Sequence, residues 1–119
     1  MMKILIVDDS TVNNILLENL FDSLGYDCYS VLESDSVLDT IHRYKPDIIL
    51  LDIMMPGLTG FDILKLMNKH SIKIPTIVLT AYKKSDYKKQ AKELGAVEYF
   101  SKPFNQEELI KTIKEVTSK

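Results

Sequence analysis

Short runs of branched apolar residues alternate with stretches whose apolar residues recur at helical spacing, from one end of the chain to the other. Ile4–Val7 is a continuous run, as expected of a strand buried on both faces. Val12, Leu16, Leu20 and Leu24 follow at intervals of four and predict a helix with that apolar stripe, stopped by Gly25. Asp27–Val31 reads as a second strand, more polar and so nearer a sheet edge. Ser34 is placed to cap a helix carrying Val37, Leu38, Ile41 and Tyr44 on one face, and Pro46 ends that element. Ile48–Leu51 is the third and most hydrophobic strand. Met55 to Gly60 is loop-like, with Pro56 and Gly57, and a helix anchored by Phe61, Leu64 and Met67 follows. Pro75 introduces a fourth strand, Thr76–Leu79. Lys84–Leu94 predicts a helix with Tyr87, Ala91 and Leu94 inward and Gly95 as its stop. Val97–Ser101 is the fifth strand. Asn105, with Glu108 in capping-box position, opens a last helix striped by Leu109, Ile113 and Val116.

Five strand–helix units in a row imply an α/β fold: a parallel sheet with helices on both faces, joined by right-handed crossovers. The 119 residues are enough for one domain, taken as residues 1–119. A hydrophobic content of 45% argues for a real core and against disorder. The net charge of −2 lacks the basic excess of a nucleic-acid binder. No apolar run approaches the roughly 18 residues of a membrane span. Neither nucleic acid nor membrane is therefore expected as a partner. Cys28 is the single cysteine, so no internal disulfide can form, and a reducing cytoplasm is the expected compartment.

The residues with chemistry cluster just past the strands. Asp8 and Asp9 follow the first, Asp52 the third, Thr80 the fourth, and Lys102 with Pro103 the fifth. In an open α/β sheet, ligands bind at the carboxyl ends of strands near the point where strand order reverses. In the order 2-1-3-4-5 the first and third strands are neighbours, so Asp8, Asp9 and Asp52 converge. Three such carboxylates repel one another, and a divalent cation relieves the conflict. Oxygen-only donors suit Mg²⁺, and the absence of His or Cys from these turns argues against zinc. Lys102 adds a fixed positive charge. At about 4 Å from a carboxylate it is worth roughly 4 kcal/mol at an effective dielectric near 20, before desolvation. Thr80 offers a hydroxyl to an incoming oxyanion. Together these groups make a site for a carboxylate that accepts a phosphoryl group.

These motifs resemble the receiver domains of two-component signalling along essentially the whole chain. They are Ile-Val-Asp8-Asp9, Leu-Leu-Asp52-Ile-Met-Met-Pro56-Gly57 with Gly60, Leu-Thr80-Ala81 and Lys102-Pro103-Phe104, each at the end of its strand. The resemblance implies a flavodoxin-like doubly wound sheet of strand order 2-1-3-4-5. It implies that Asp52 is the phosphoacceptor, and that Asp8, Asp9 and Asp52 hold Mg²⁺ with the backbone carbonyl of Met54. Thr80 and Lys102 would bind the phosphoryl oxygens, and a cis peptide would precede Pro103. Tyr99 would be the switch aromatic, swinging inward as the Thr80 hydroxyl moves toward the phosphoryl group, so that the face of helix four, strand five and helix five changes. The implied donor is a sensor histidine kinase or a histidine phosphotransfer protein, and the implied target a downstream effector. The fourth-helix face would also allow a homodimer.

Some positions depart from the common pattern. Thr59 stands where an Asp often precedes the loop glycine. Met54 and Tyr82, two residues past Asp52 and Thr80, are bulky at positions that in the family border the path of the hydrolytic water, so slow dephosphorylation is expected. Asn13 resembles the first helix of receivers in hybrid kinases or phosphorelays.

Taken singly, each motif has a bland explanation: Asp8–Asp9 a solvated helix start, Thr80 a turn residue, Lys102 a surface lysine, Tyr99 a strand aromatic. Their register across separate strands outweighs these. Lys83, Lys84, Lys88, Lys89 and Lys92 read mainly as a solvated face, with an acidic docking partner as the sharper alternative. His42 and His70 read as surface residues and Cys28 as a strand filler. Competing functions fare worse. A hydrolase of the haloacid-dehalogenase kind wants a second Asp where Met54 stands, and a flavin module would meet Asp8 and Asp9 where its phosphate belongs. A pseudo-receiver that only binds partners lacks the need for a complete site. Turnover of an external substrate is not expected.

Overall fold

The computed structural model describes residues 2–82 and 85–118. Among the described residues five strands and five helices alternate: β1 (Lys3–Val7), α1 (Thr11–Ser23), β2 (Asp27–Val31), α2 (Val37–Tyr44), β3 (Ile48–Leu51), α3 (Gly60–Lys69), β4 (Thr76–Thr80), α4 (Ser85–Glu93), β5 (Glu98–Ser101) and α5 (Gln106–Thr117). All strand pairs are parallel, and the sheet order is β2-β1-β3-β4-β5. The doubly wound arrangement expected from the sequence is therefore the observed one. The polar second strand lies at an edge, where Tyr29 stays exposed.

Side chains of a strand point alternately to opposite faces, and this splits the core in two. Leu5, Val7, Ile49, Leu51 and Val78 join Val37 and Ile41 of α2, Ile63, Leu64 and Met67 of α3, and Ala91 of α4. Ile4, Ile6, Ile48, Leu50, Ile77 and Leu79 face Leu17 and Phe21 of α1 and Leu109 and Ile113 of α5. Each fully buried side chain of this size contributes roughly 1.5–3 kcal/mol from transfer alone. Among the described residues no helix is long and apolar enough to cross a membrane.

Three local readings differ from expectation. In α1 the stripe that packs is Asn14, Leu17 and Phe21, while Val12, Leu16 and Leu24 are exposed and Leu20 is half-buried. Leu17 and Phe21 are also four apart, and steps of four drift around a helix of 3.6 residues per turn by about 40° each. Only the sheet decides which line is covered. Ser34 does not cap α2. It opens a 3₁₀ turn, Ser34–Ser36, and its buried hydroxyl donates to the Pro56 carbonyl at 3.2 Å and accepts from the Leu58 N–H at 2.9 Å. Gly60 is not loop but the first residue of α3, with Thr59 as its cap. The Thr59 hydroxyl accepts from the Asp62 N–H, and the Asp62 carboxylate accepts from the Thr59 N–H. This box explains Thr59, because a hydroxyl at that position satisfies an otherwise orphaned helix donor. The helix expected from Lys84 is described from Ser85 onward, and Lys83 and Lys84 lie outside the described residues. At the last helix Asn105 does cap, its side chain accepting from the Glu108 N–H at 3.0 Å.

Gly60 also sets how closely α3 approaches the third strand end. A Cβ there would lie 2.6 Å from the Asp52 carbonyl oxygen and 2.8 Å from the Ile53 Cα. Those atoms are backbone and cannot swing aside. Replacing a helical glycine by alanine ordinarily gains about 1 kcal/mol, and overpacking costs about 1–3 kcal/mol. The clash should win, so Gly60→Ala is expected to lower the urea midpoint of unfolding. A midpoint equal to or above that of the wild type would show that the loop yields.

Candidate functional site

Register brings the acidic residues together. Val7 pairs with Leu51 across β1 and β3, so Asp8 and Asp52, each one residue on, leave the sheet side by side at its carboxyl edge. The ladder hydrogen bonds continue past the strands: Asp52 N–H donates to the Val7 carbonyl at 2.9 Å and Asp8 N–H to the Val31 carbonyl at 3.1 Å. One carboxylate oxygen from each of Asp8, Asp9 and Asp52 lies within 4.8 Å of the others. Asp8 and Asp52 are buried, and Asp9 is exposed at the rim. On the other side, Thr80 pairs with Ser101, and Lys102 N–H donates to the Thr80 carbonyl at 2.7 Å, which places Lys102 beside Thr80. The Lys102–Pro103 peptide is cis.

Lys102 reaches back over the cluster. Its Nζ lies 2.6 Å from Asp8 Oδ2 and 3.9 Å from Asp52 Oδ2. The sequence set the lysine beside the carboxylate cluster without choosing among its members, and in the structure it lies nearest Asp8. One ammonium thus faces three carboxylates. Burial and then the Asp8 charge raise the Asp52 carboxyl above its usual range, opposed by the Thr80 hydroxyl, Lys102 and the Met54 N–H. The donors here are all oxygen and the negative charge is under-compensated, which suits a hard divalent cation such as Mg²⁺. Thr80 is fully buried, and its Oγ1 accepts from the Tyr82 N–H at 3.4 Å.

Three contacts to Asp8 went unnoticed in the sequence. Ser10 N–H donates to Asp8 Oδ1 at 2.9 Å, Asn13 Nδ2 to Asp8 Oδ2 at 2.9 Å, and Asn14 Nδ2 to the Asp8 carbonyl at 2.9 Å. Asn13 carried a signal as a departure worth noting, but nothing linear shows an amide turning back onto a residue five positions earlier. The buried Asn14 reads in sequence as a polar interruption.

The rim is bulky and aromatic. Met54 and Tyr82 are each 41% exposed beside Asp52 and Thr80. The Tyr82 ring lies 6.0 Å from that of Tyr87, which in turn meets Phe61 edge-on at 5.7 Å. Tyr99 is buried, with its hydroxyl donating to the Tyr82 carbonyl at 2.6 Å. Lys88 and Lys89 are exposed, and Lys92 pairs with Glu98 at 3.4 Å. His42 and His70 are exposed, and Cys28 is half-buried with its thiol pushed up to about 12 by burial and by Glu18 and Asp27.

The raised Asp52 carboxyl has a consequence for stability. The folded protein holds that proton more tightly than the unfolded chain does. Its contribution is therefore complete at low pH and is lost as pH rises through the raised value. With metal chelated, Asp52→Asn should have a higher urea midpoint than the wild type at neutral pH. The two midpoints should converge as pH falls below the ordinary carboxylate range. A variant less stable at neutral pH would contradict that repulsion.

Comparison with known proteins agrees with this geometry. The family model of the response regulator receiver domain matches residues 4–114. The chain is 39% identical over 112 residues to sporulation initiation phosphotransferase F of Bacillus subtilis (strain 168), covering 94% of this chain and 90% of that protein. Among solved structures, the receiver domain of Francisella response regulator 1452 superposes with a TM-score of 0.93 at 29% identity, covering 99% of this chain and 98% of that one. The Vibrio cholerae chemotaxis protein CheY4 superposes with a TM-score of 0.89 at 30% identity, covering 98% of each chain. With its sheet order, its acidic cluster at the carboxyl edge and a family match over nearly its full length, this chain belongs to the response regulator receiver domain family.

Proposed function

We propose that residues 1–119 act as one phosphoacceptor switch, taking a phosphoryl group onto Asp52. The observation that carries this reading is the convergence of Asp8, Asp9 and Asp52 beneath Lys102 and beside Thr80. The donor is a phosphohistidine, on a sensor histidine kinase or a histidine phosphotransfer protein. An Asp52 carboxylate oxygen attacks phosphorus. The P–N bond breaks, and its electron pair stays on the imidazole nitrogen, which then takes up a proton. Mg²⁺ would be held by Asp8, Asp9, Asp52 and the Met54 backbone carbonyl, and when bound it neutralises charge on the phosphoryl oxygens. Lys102 counters the charge of the group being received, and the Thr80 hydroxyl donates to one of its oxygens. Hydrolysis returns Asp52 to a carboxylate, so no external substrate is turned over.

The output is a change in the face of α4, β5 and α5, read by a downstream effector. Thr80 and Tyr99 are the switch pair, because both bear on the segment at Tyr82: Thr80 through the Tyr82 N–H and Tyr99 through its carbonyl. Full switching from 1:99 to 99:1 needs a differential of roughly 5.5 kcal/mol. Charge-assisted bonds from the phosphoryl group to Lys102 and Thr80 are of the right kind to supply much of it. A homodimer through the α4 face and a cytoplasmic location belong to the same proposal. The exposed Lys88 and Lys89 leave that face open to an acidic partner.

Incubation with Mg²⁺ and a small acyl-phosphate donor should add one phosphoryl group, read by intact mass. Asp52→Asn, or chelation of the metal, should abolish the gain. Modification that persists in Asp52→Asn would remove the proposal. The Met54 and Tyr82 side chains flank the approach of water, so the phosphoryl group should be long-lived. Met54→Asn with Tyr82→Ala is expected to shorten its lifetime by about tenfold, equivalent to about 1.4 kcal/mol on the barrier. An unchanged lifetime would mean that the rim does not limit access.

A further inference from the structure

The Asp8 carboxylate is held by three donors of different kinds. Oδ1 accepts the Ser10 N–H at 2.9 Å, and Oδ2 accepts both the Lys102 ammonium at 2.6 Å and the Asn13 side-chain amide at 2.9 Å. The Ser10 donor is backbone, the Asn13 amide stands on a short side chain at the start of α1, and Lys102 reaches Asp8 on a long flexible stem, so Lys102 is the donor most free to turn elsewhere. Lys102 is also the group within 3.9 Å of Asp52 Oδ2. When Lys102 turns to serve a phosphoryl group on Asp52, Asn13 becomes the sole side-chain donor on Asp8 Oδ2 among those described.

Asn13 is well suited to that task. It is the third residue of α1, and its backbone N–H donates to the capping Ser10 hydroxyl at 3.2 Å, so its position is fixed by the helix start. The neighbouring Asn14 amide holds the Asp8 carbonyl from below. Consecutive amides therefore fix one aspartate twice, Asn14 at its main chain and Asn13 at its carboxylate. The terminal torsion of an aspartate is broad, so a carboxylate without such a partner rotates easily. An amide orients it without adding charge, so it neither repels a cation as a fourth carboxylate would nor competes with it as a second lysine would. A carboxylate has about four acceptor positions. With three occupied, Asp8 keeps about one for a cation, and one of its carboxylate oxygens lies within 4.8 Å of one from Asp9 and one from Asp52.

We propose that Asn13 is a positioning residue that orients the Asp8 carboxylate for Mg²⁺, and does so independently of Lys102. The inference rests on the proposed phosphoacceptor site. Partners that orient a metal-binding carboxylate ordinarily change affinity by about 10–100-fold. The test is a Mg²⁺ titration of the full chain followed by amide chemical shifts, with wild type, Asn13→Leu, Asn13→Ala and Asp8→Asn compared, and folding checked by urea unfolding. The Asn13 variants should keep the wild-type urea midpoint to within experimental scatter. They should bind Mg²⁺ about tenfold more weakly, with the Mg²⁺ concentration for half-maximal phosphorylation rising by the same factor. Affinity within twofold of wild type in either folded variant would overturn the inference while leaving the proposed function standing. Unfolding of both variants would overturn it as well, because Asn13 would then be holding the fold. A flat titration in the wild type itself, matching Asp8→Asn, would overturn the proposed function.

Discussion

Two buried aspartates side by side at the end of a parallel ladder are the constraint on which this molecule turns. The pairing of Val7 with Leu51 leaves Asp8 and Asp52 no way to avoid each other. A sheet built only for stability would not place like charges there, since the burial that strengthens the apolar core raises the cost of ionising Asp52. The surrounding contacts are responses to that conflict. Lys102 crosses from the end of β5, the Ser10 N–H and Asn13 amide satisfy Asp8, and Asn14 ties down its carbonyl. The residual imbalance is what makes the site receptive to a cation, and then to a phosphoryl group.

The rest of the fold supplies a packed apolar base beneath the site and loops held by polar contacts above it. The ends of β1, β3 and β4 stand on strands whose side chains are buried on both faces, packed between α2, α3 and α4 on one side and α1 and α5 on the other. Such interiors transmit displacement rather than absorbing it. The segments above the sheet are tied by single polar contacts. Ser34 bridges to Pro56 and Leu58, and Tyr99 to Tyr82. A single neutral hydrogen bond contributes only about 0.5–1.5 kcal/mol net, so ligand charge at Asp52 can rearrange these links without disturbing the core. The close approach of Gly60 to the Asp52 backbone anchors the same loop from the α3 side.

If Tyr99 is the switch residue proposed above, its surroundings bias the switch in advance. Its ring is buried and its hydroxyl is satisfied by the Tyr82 carbonyl. The inward arrangement therefore costs no buried polar group. Phosphorylation would then stabilise an arrangement the chain already forms, which is the pattern of a population shift.

The sequence by itself determined the five βα units and the strand ends that carry chemistry, because periodicity and turn residues are local properties. Asp8, Asp9, Asp52, Thr80 and Lys102 could all be picked out from their place just past an apolar run. The receiver motifs gave their roles as expectations. The tertiary structure decided which of two equally spaced apolar lines on α1 faces the sheet, because only packing distinguishes Leu17 and Phe21 from Val12 and Leu16. It decided that Ser34 bridges loops instead of capping α2, and that Lys102 sits closer to Asp8 than to Asp52. It also revealed that Asn13 turns back onto Asp8. Hydrogen-bond partners depend on side-chain direction in three dimensions, and spacing along a chain carries no record of it.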